Sequence, residues 1–293
     1  MRSDVEIGAR PEAVESGRIC AVAGQAQREM RAWAAAYPAL FSAKAFDAAL
    51  YSTLALATAF SGPWLDAGHQ RMANRVALWC FGLDWLVDYV ATTPDEARDV
   101  ARRCLTAADG GPAANGDELA LFLADIRAEL AAAPGYAELG PVWRDELRRM
   151  LWAMVRECEW KAAAGRRPTF DEYLANADNL GFSFVFAAHW IFTEDGGGDV
   201  AAVRAASWAT QRVIRLLNDL ATYDRDVSWG DLNALMLGVT REQVRERVAA
   251  LAAEARALIQ PVRVSQPRLA DYLERQMEFC VGFYGVTDYW GSL

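Results

Sequence analysis

Apolar residues return every three or four positions through almost the whole chain, and runs that alternate apolar with polar residues are absent. That period sets an all-α fold as the expected class. Ala, Leu, Glu and Arg, all good helix formers, dominate the periodic stretches. Glycine, proline and aspartate collect instead at short breaks: 61–68, 91–97, 110–116, 133–136, 165–168, 194–199, 228–231 and 260–267. The pieces between them read as about ten helices. Thr169 with Glu172 and Thr240 with Gln243 have the spacing of a capping box, and Pro94 with Asp95 and Glu96 suits a first turn. No break reads as a linker, and no internal repeat shows. The expected organisation is one helical domain over 18–293, behind a loosely held polar segment, 1–17.

The chain's 293 residues are 53% hydrophobic, enough to bury one large core. A net charge of -9 argues against a nucleic-acid partner, because phosphate backbones select for Lys and Arg. It does not argue against a small anionic substrate, since divalent cations can reverse the local sign. The longest apolar run, 49–60, is too short for a membrane span. The start, 1–17, is polar and acidic and has no apolar signal core. Five scattered cysteines, an odd number, read as reduced thiols, so the expected location is the cytoplasm. His69 and His189 are far apart in sequence, which argues against a zinc site or a histidine triad. His189 reads as a satisfied core or surface residue.

Two acidic motifs stand out. In "CFGLDWLVDYV" (80–90), Asp84 and Asp88 are four apart and share a helix face among apolar neighbours. Two like charges there are costly unless a cation joins them, and the alternative is a single solvent-facing stripe. In "RLLNDLATYDRD" (215–226), Asn218, Thr222 and Asp226 follow at i, i+4 and i+8. An amide, a hydroxyl and a carboxylate on one stripe are hard oxygen donors suited to Mg²⁺, or else an ordinary wetted face. If the two motifs face one another, they form an acidic jaw.

Together the motifs resemble class I terpene synthases, in which an aspartate-rich motif faces an NSE motif across a helical bundle. Asn218-Asp219-Leu220-x-Thr222-x-x-x-Asp226 matches the NSE pattern at every specified position, with Asp for the final Glu. The aspartate-rich motif matches in part, because Trp85 stands where the second Asp is usual. The resemblance runs roughly from residue 45 to the C-terminus and is sharp at the motifs. It implies Asp84, Asp88, Asn218, Thr222 and Asp226 as ligands of Mg²⁺, three ions in this family. It also implies Arg225, Arg215 and Arg212 as diphosphate-binding residues, and Gly181 as the break in a kinked helix whose carbonyls serve catalysis. Two departures stand against the bacterial sesquiterpene cyclases. Ala177 and Asp178 occupy the place of a diphosphate-sensing Arg, and Asp288-Tyr289 replaces a C-terminal Arg-Tyr pair.

The segment 170–190 is more similar to bacterial labdane-related diterpene synthases of the ent-kaurene synthase type. That resemblance implies a copalyl-type bicyclic diphosphate as substrate, supplied by a separate class II cyclase, and a possible homodimer. The product would be a diterpene hydrocarbon or alcohol. Alternatives are a sesquiterpene or geranylgeranyl diphosphate cyclase, a prenyltransferase of the isoprenyl diphosphate synthase type, and a decayed helical binding protein. An ionised substrate needs a dry pocket with aromatic walls. Phe81, Trp85, Phe182, Phe184, Phe186 and Trp190 are the candidate liners, with Trp79 a further one; each could instead be plain core.

Overall fold

A computed structural model describes residues 10–163, 167–194 and 198–291, and among them every regular element is helical. Eleven α-helices follow in order: α1 (Pro11–Ala36), α2 (Ala48–Ser61), α3 (Ala67–Asp84), α4 (Pro94–Ala108), α5 (Glu118–Leu130), α6 (Tyr136–Ala162), α7 (Phe170–Ala175), α8 (Phe182–Thr193), α9 (Val200–Trp229), α10 (Arg241–Ser265) and α11 (Pro267–Tyr284). The all-α expectation holds. Of the segment set apart as loosely held, residues 1–9 lie outside the described residues, while 11–17 form the first turns of α1. No helix among the described residues is long and apolar enough to cross a membrane.

Local chemistry explains most boundaries. Thr93, Thr169 and Thr240 each accept from the backbone three residues on, and Glu96, Glu172 and Gln243 reach back to the cap's own N–H. These reciprocal bonds satisfy donors that a helix start leaves free. Gly230 ends α9 at φ +76°, a left-handed conformation that costs glycine little. One break falls later than the sequence suggests. In 260–267, α10 runs straight through Pro261 and stops at Gln266, before Pro267. Ile259 and Val262 flank that proline and are both buried, so packing offsets the lost hydrogen bond.

Six helices, α2, α3, α6, α8, α9 and α11, stand around one elongated cavity. Beneath it lies an aromatic core. Trp79 packs edge-on against Phe184 at 5.7 Å, and Trp143 lies 5.3 Å from the same ring. Trp79 also donates its indole N–H to the Leu119 carbonyl at 2.9 Å, which joins α3 to α5. α1 covers α2, and α10 runs along the outer side of α9. The site-bearing helices are thus held from behind.

Candidate active site

The wall on α9 is built from the inside outward. Asp219 points into the core, where it accepts from the Tyr173 hydroxyl at 2.8 Å and lies 3.5 Å from Arg215 Nε. Burial pushes its carboxyl up to about 6, with Arg215 and Tyr173 opposing. The neighbouring stripe of the helix carries Asn218, Thr222 and Asp226. Asp226 Oδ2 accepts from Thr222 Oγ1 at 2.6 Å and from Asn233 Nδ2 at 2.9 Å. Asn218 Nδ2 donates to the Tyr284 hydroxyl at 3.3 Å. Asn218 and Asp226 line the cavity, while buried Thr222 braces Asp226 from behind.

The facing wall is of another kind. α3 ends at Asp84, and the chain continues as a π-helical turn, Trp85–Val90. Such wide turns cluster at functional sites because they re-aim side chains. Asp84 and Asp88 both line the cavity. Burial raises the Asp84 carboxyl well above its usual range, and the negative charges of Asp88 and Asp231 raise it further. Lys161 Nζ, at the end of α6, lies 3.0 Å from Asp88 Oδ1 and 2.9 Å from Asp231 Oδ1. Burial works against that ammonium, but Asp88, Asp231 and Glu157 outweigh it and keep it charged.

The two walls meet across one mouth, since Asp84, Asp88, Asn218, Asp226 and Asp231 all border the same cavity. Among the described residues, no three carboxylate, imidazole or thiol groups converge tightly enough to hold an ion by themselves. The donor set here is mixed, however: acids on one wall, an acid with an amide on the other. Crowded carboxylates beside neutral oxygen donors suit a hard cation that keeps water and ligand oxygens in its shell. The residues present therefore fit Mg²⁺.

Three arginines were expected near the diphosphate. Arg225 lines the mouth, 2.6 Å from Asp288 Oδ1 and 3.4 Å from Asp226 Oδ1, with its guanidinium over Trp229 at 5.2 Å. Its Nε is buried without a hydrogen-bond partner. Arg215 also borders the cavity, but Tyr173, Glu157 and Asp219 hold its guanidinium. Arg212, one turn earlier on α9, is not among the residues around the cavity. Helix period explains this: Ile214, Arg215 and Asn218 face inward, and Arg212 falls outside that stripe.

Gly181 breaks the helix between a 3-10 turn, Ala177–Leu180, and α8, at φ +76°. A Cβ there would sit 2.8 Å from Met150 Sδ, which would have to shift, but it is the conformation that calls for glycine. Asp178, at the place of the expected sensor, faces away into an ion pair with Arg149 at 2.7 Å.

The aromatic candidates divide. Phe81, Trp85 and Phe182 line the cavity. Phe184, Phe186 and Trp190 do not; each is about 1–2% exposed and packs in the core, and so does Trp79. From Phe182 the helical period brings Val185 round to the cavity and turns Phe184 away. Phe186 shares the face of Phe182, one turn on, but is covered there by Phe182 and Tyr272. His189 is a core residue, stacked on Tyr272 at 4.1 Å, and burial lowers its imidazole to about 3. Its Nδ1 has no hydrogen-bond partner.

Several residues of the site escape a motif-based reading. Asp231, just beyond α9, and Glu157 and Lys161, one turn apart on α6, complete the charged mouth. The tail folds back across α3, where Trp290 lies 5.1 Å from Phe81 and 5.9 Å from Trp85. Tyr289 meets Phe81 at 5.4 Å. Asp231 lies five positions beyond the NSE motif, and Asp288-Tyr289 stands at the place of a C-terminal pair, both usable signals; Lys161 has none short of the fold.

A helical bundle with two oxygen-donor walls over an aromatic-lined cavity is the architecture of a class I terpene synthase. Residues 75–257 match the family described as terpene synthase family 2, C-terminal metal binding, and the chain belongs to that family. It is an enzyme of the lyase type that acts on prenyl diphosphates. A curated relative, the ent-pimara-9(11),15-diene synthase of Streptomyces sp. (strain KO-3988), is 28% identical over 275 residues, covering 90% of this chain and 91% of that one. Solved structures share the fold. Linalool/nerolidol synthase from Streptomyces clavuligerus, in complex with 2-fluorogeranyl diphosphate, superposes with a TM-score of 0.72 at 16% identity, covering 90% of this chain and 97% of that one. The 2-methylisoborneol synthase of Streptomyces coelicolor A3(2), in complex with Mg²⁺ and geranyl-S-thiolodiphosphate, gives 0.69 at 16% identity, covering 93% of both chains.

Proposed function

We propose that the protein is a Mg²⁺-dependent diterpene synthase that ionises a copalyl-type bicyclic diphosphate and rearranges the carbocation to a diterpene hydrocarbon or alcohol. The observation that carries this reading is the division of one cavity into an acidic mouth and an apolar, aromatic body. A diterpene substrate is supported by the near full-length relationship to an enzyme named as a diterpene synthase.

Bound Mg²⁺, three ions in this reading, supplies Lewis-acid neutralisation of the leaving diphosphate. Asp84 and Asp88 would hold the metal from one side and Asn218 and Asp226 from the other, with Thr222, off the cavity wall, serving through Asp226. Thr222 and Asn233 fix the Asp226 carboxylate before substrate arrives, so little reorganisation remains at the moment of reaction. Arg225, with an unspent Nε, adds a forked cation at the mouth. Arg215 is spent on Glu157, Asp219 and Tyr173, so its part is to keep those groups ordered. Phe81, Trp85, Phe182 and the folded-back Trp290 exclude water and present aromatic faces to positive charge. The left-handed turn at Gly181 brings the 3-10 turn and the start of α8 to the cavity wall. The bicyclic substrate would come from a separate class II cyclase, and the enzyme would work in the cytoplasm as a homodimer.

The test is incubation with Mg²⁺ and geranyl, farnesyl, geranylgeranyl and the stereoisomeric copalyl diphosphates, followed by gas chromatography–mass spectrometry. A cyclic diterpene formed from a copalyl diphosphate alone is the expected result. Product from farnesyl or geranylgeranyl diphosphate would keep the chemistry and overturn the substrate.

A further inference from the structure

The cavity body carries a polar ladder on one wall. Tyr272, Gln276, Cys280 and Tyr284 recur every fourth residue on α11, and all four line the cavity. Tyr284 accepts from Asn218, which places that end of the ladder at the acidic mouth. Gln276 lies two turns earlier, about 12 Å farther along the helix axis. Beside it, α2 contributes Leu54, Ala57 and Thr58, whose hydroxyl is already committed to the Leu54 carbonyl at 3.3 Å. A primary amide is an unusual group to place in such a wall.

Its hydrogen bonds do not use it up. Ser61 Oγ, fully buried, lies 2.5 Å from Gln276 Oε1 and 2.8 Å from the Ala57 carbonyl. Gln276 Nε2 lies 3.5 Å from Cys280 Sγ. One hydroxyl proton cannot serve two acceptors. Either Ser61 donates to Gln276, or the amide is turned over. In the second arrangement Nε2 donates to Ser61, Ser61 donates to Ala57, and the Cys280 thiol donates to Oε1. In both, Ser61 grips one amide atom, and one N–H and one oxygen lone pair remain unspent. That capacity belongs to a side chain that is 8% exposed on a cavity wall, so it faces whatever fills the cavity. In a dry site an oriented dipole acts far more strongly than it does in water.

We propose that Gln276, oriented by Ser61, is the specificity-determining contact for the hydrocarbon part of the substrate, favouring positive charge at one carbon of the rearranging skeleton over its neighbours. This rests on the terpene synthase reading of the site and adds the residue that selects the product. Gln276 also ties α11 to α2, so stability alone would not separate the two roles; the ratio of products does.

The experiment measures product ratios by gas chromatography–mass spectrometry, per diphosphate released, for the unaltered enzyme, Gln276→Met and Ser61→Ala. Methionine keeps the length and removes the dipole, while alanine at 61 leaves the amide free to turn. Gln276→Met is expected to shift the ratio of the main product to the others by about tenfold, the scale on which small barrier differences act. Ser61→Ala should move it in the same direction by less. Wild-type ratios from both variants would overturn the proposal, as would a lowered melting temperature with unchanged ratios, which would leave Gln276 as a tie between helices. If Gln276→Met fails to fold, the ratio from Ser61→Ala decides. An unaltered enzyme that makes no product from any diphosphate would bring down the substrate reading and this proposal together. Cyclisation with unchanged ratios in the variants would bring down this proposal alone.

Discussion

The two walls of the mouth carry similar oxygen donors and are held in opposite ways. On α9, the donors are fixed mainly by neutral partners, Asp226 by Thr222 and Asn233 and Asn218 by Tyr284, with the Arg225 cation beside Asp226. On the α3 side, Asp84 and Asp88 stand in a wide π-turn, crowded by Asp231 and checked by one ammonium, Lys161. The α9 wall is preorganised, and its carboxylate at the mouth already has a guanidinium beside it. The α3 wall is a concentration of charge in want of cations. The difference teaches which wall needs the metal in order to be stable, and which is ready without it.

The largest effect should come from removing one carboxylate from each wall. Asp84→Ala and Asp226→Ala are each expected to lower diphosphate release by about 10²–10³-fold while the circular-dichroism melt stays cooperative. Turnover retained in either variant would remove that wall from the metal site. Next comes the brace. Asn233→Ala leaves Asp226 in place but loses its 2.9 Å bond, and support of this kind is worth about 10–100-fold in metal affinity. Titration of Mg²⁺ with inorganic diphosphate by calorimetry reads it directly. An unchanged affinity would mean that the α9 wall owes nothing to its hydrogen bonds.

How much of this was legible beforehand follows the same division. The α9 wall is local: one helix, one period, three donors at i, i+4 and i+8, and the sequence places them on one stripe. The capping boxes at Thr169 and Thr240 are local too, and both form. The α3 wall is assembled from distant segments, with Lys161 about 70 residues from Asp88 and from Asp231. No spacing rule reaches across that gap. The aromatic residues failed for a different reason. Phe182, Phe184 and Phe186 read alike, yet the rotation of α8 turns Phe184 to the core, and Phe186, on the face of Phe182, is covered by Phe182 and Tyr272.

Lys161→Met sharpens the comparison without touching a proposed ligand. It removes the cation between Asp88 and Asp231 and leaves two half-buried acids facing each other. The metal-free protein should melt several degrees lower, and Mg²⁺ should then raise the melting temperature by more than it does in the parent chain. Equal stabilisation by Mg²⁺ in both proteins would show that Lys161 does not compensate for absent cations.

The smallest effect is a slope with pH. Burial pushes the Glu157 carboxyl up to about 7 from an ordinary 4.5, with the charges of Asp88 and Asp231 adding to burial and Arg215 opposing. A raised carboxyl binds protons more readily in the folded state than in the unfolded one. Stability from this group therefore falls as pH rises from about 4.5 to about 7, and the loss is complete above that range. Glu157→Gln keeps an acceptor for Asn179, which donates to the carboxylate, and removes the titration. In the absence of metal, the melting temperature of the variant minus that of the parent should climb between pH 5 and pH 7 and then level off; both limits are set by the same shift. Taking the difference cancels every other titrating group to first order. Adding Mg²⁺ should flatten the climb, because cations near Asp88 and Asp231 offset the negative charge that Glu157 faces. A difference that stays level across the range would place the excess charge of the α3 wall elsewhere, and would leave the two walls more alike than their hydrogen bonds imply.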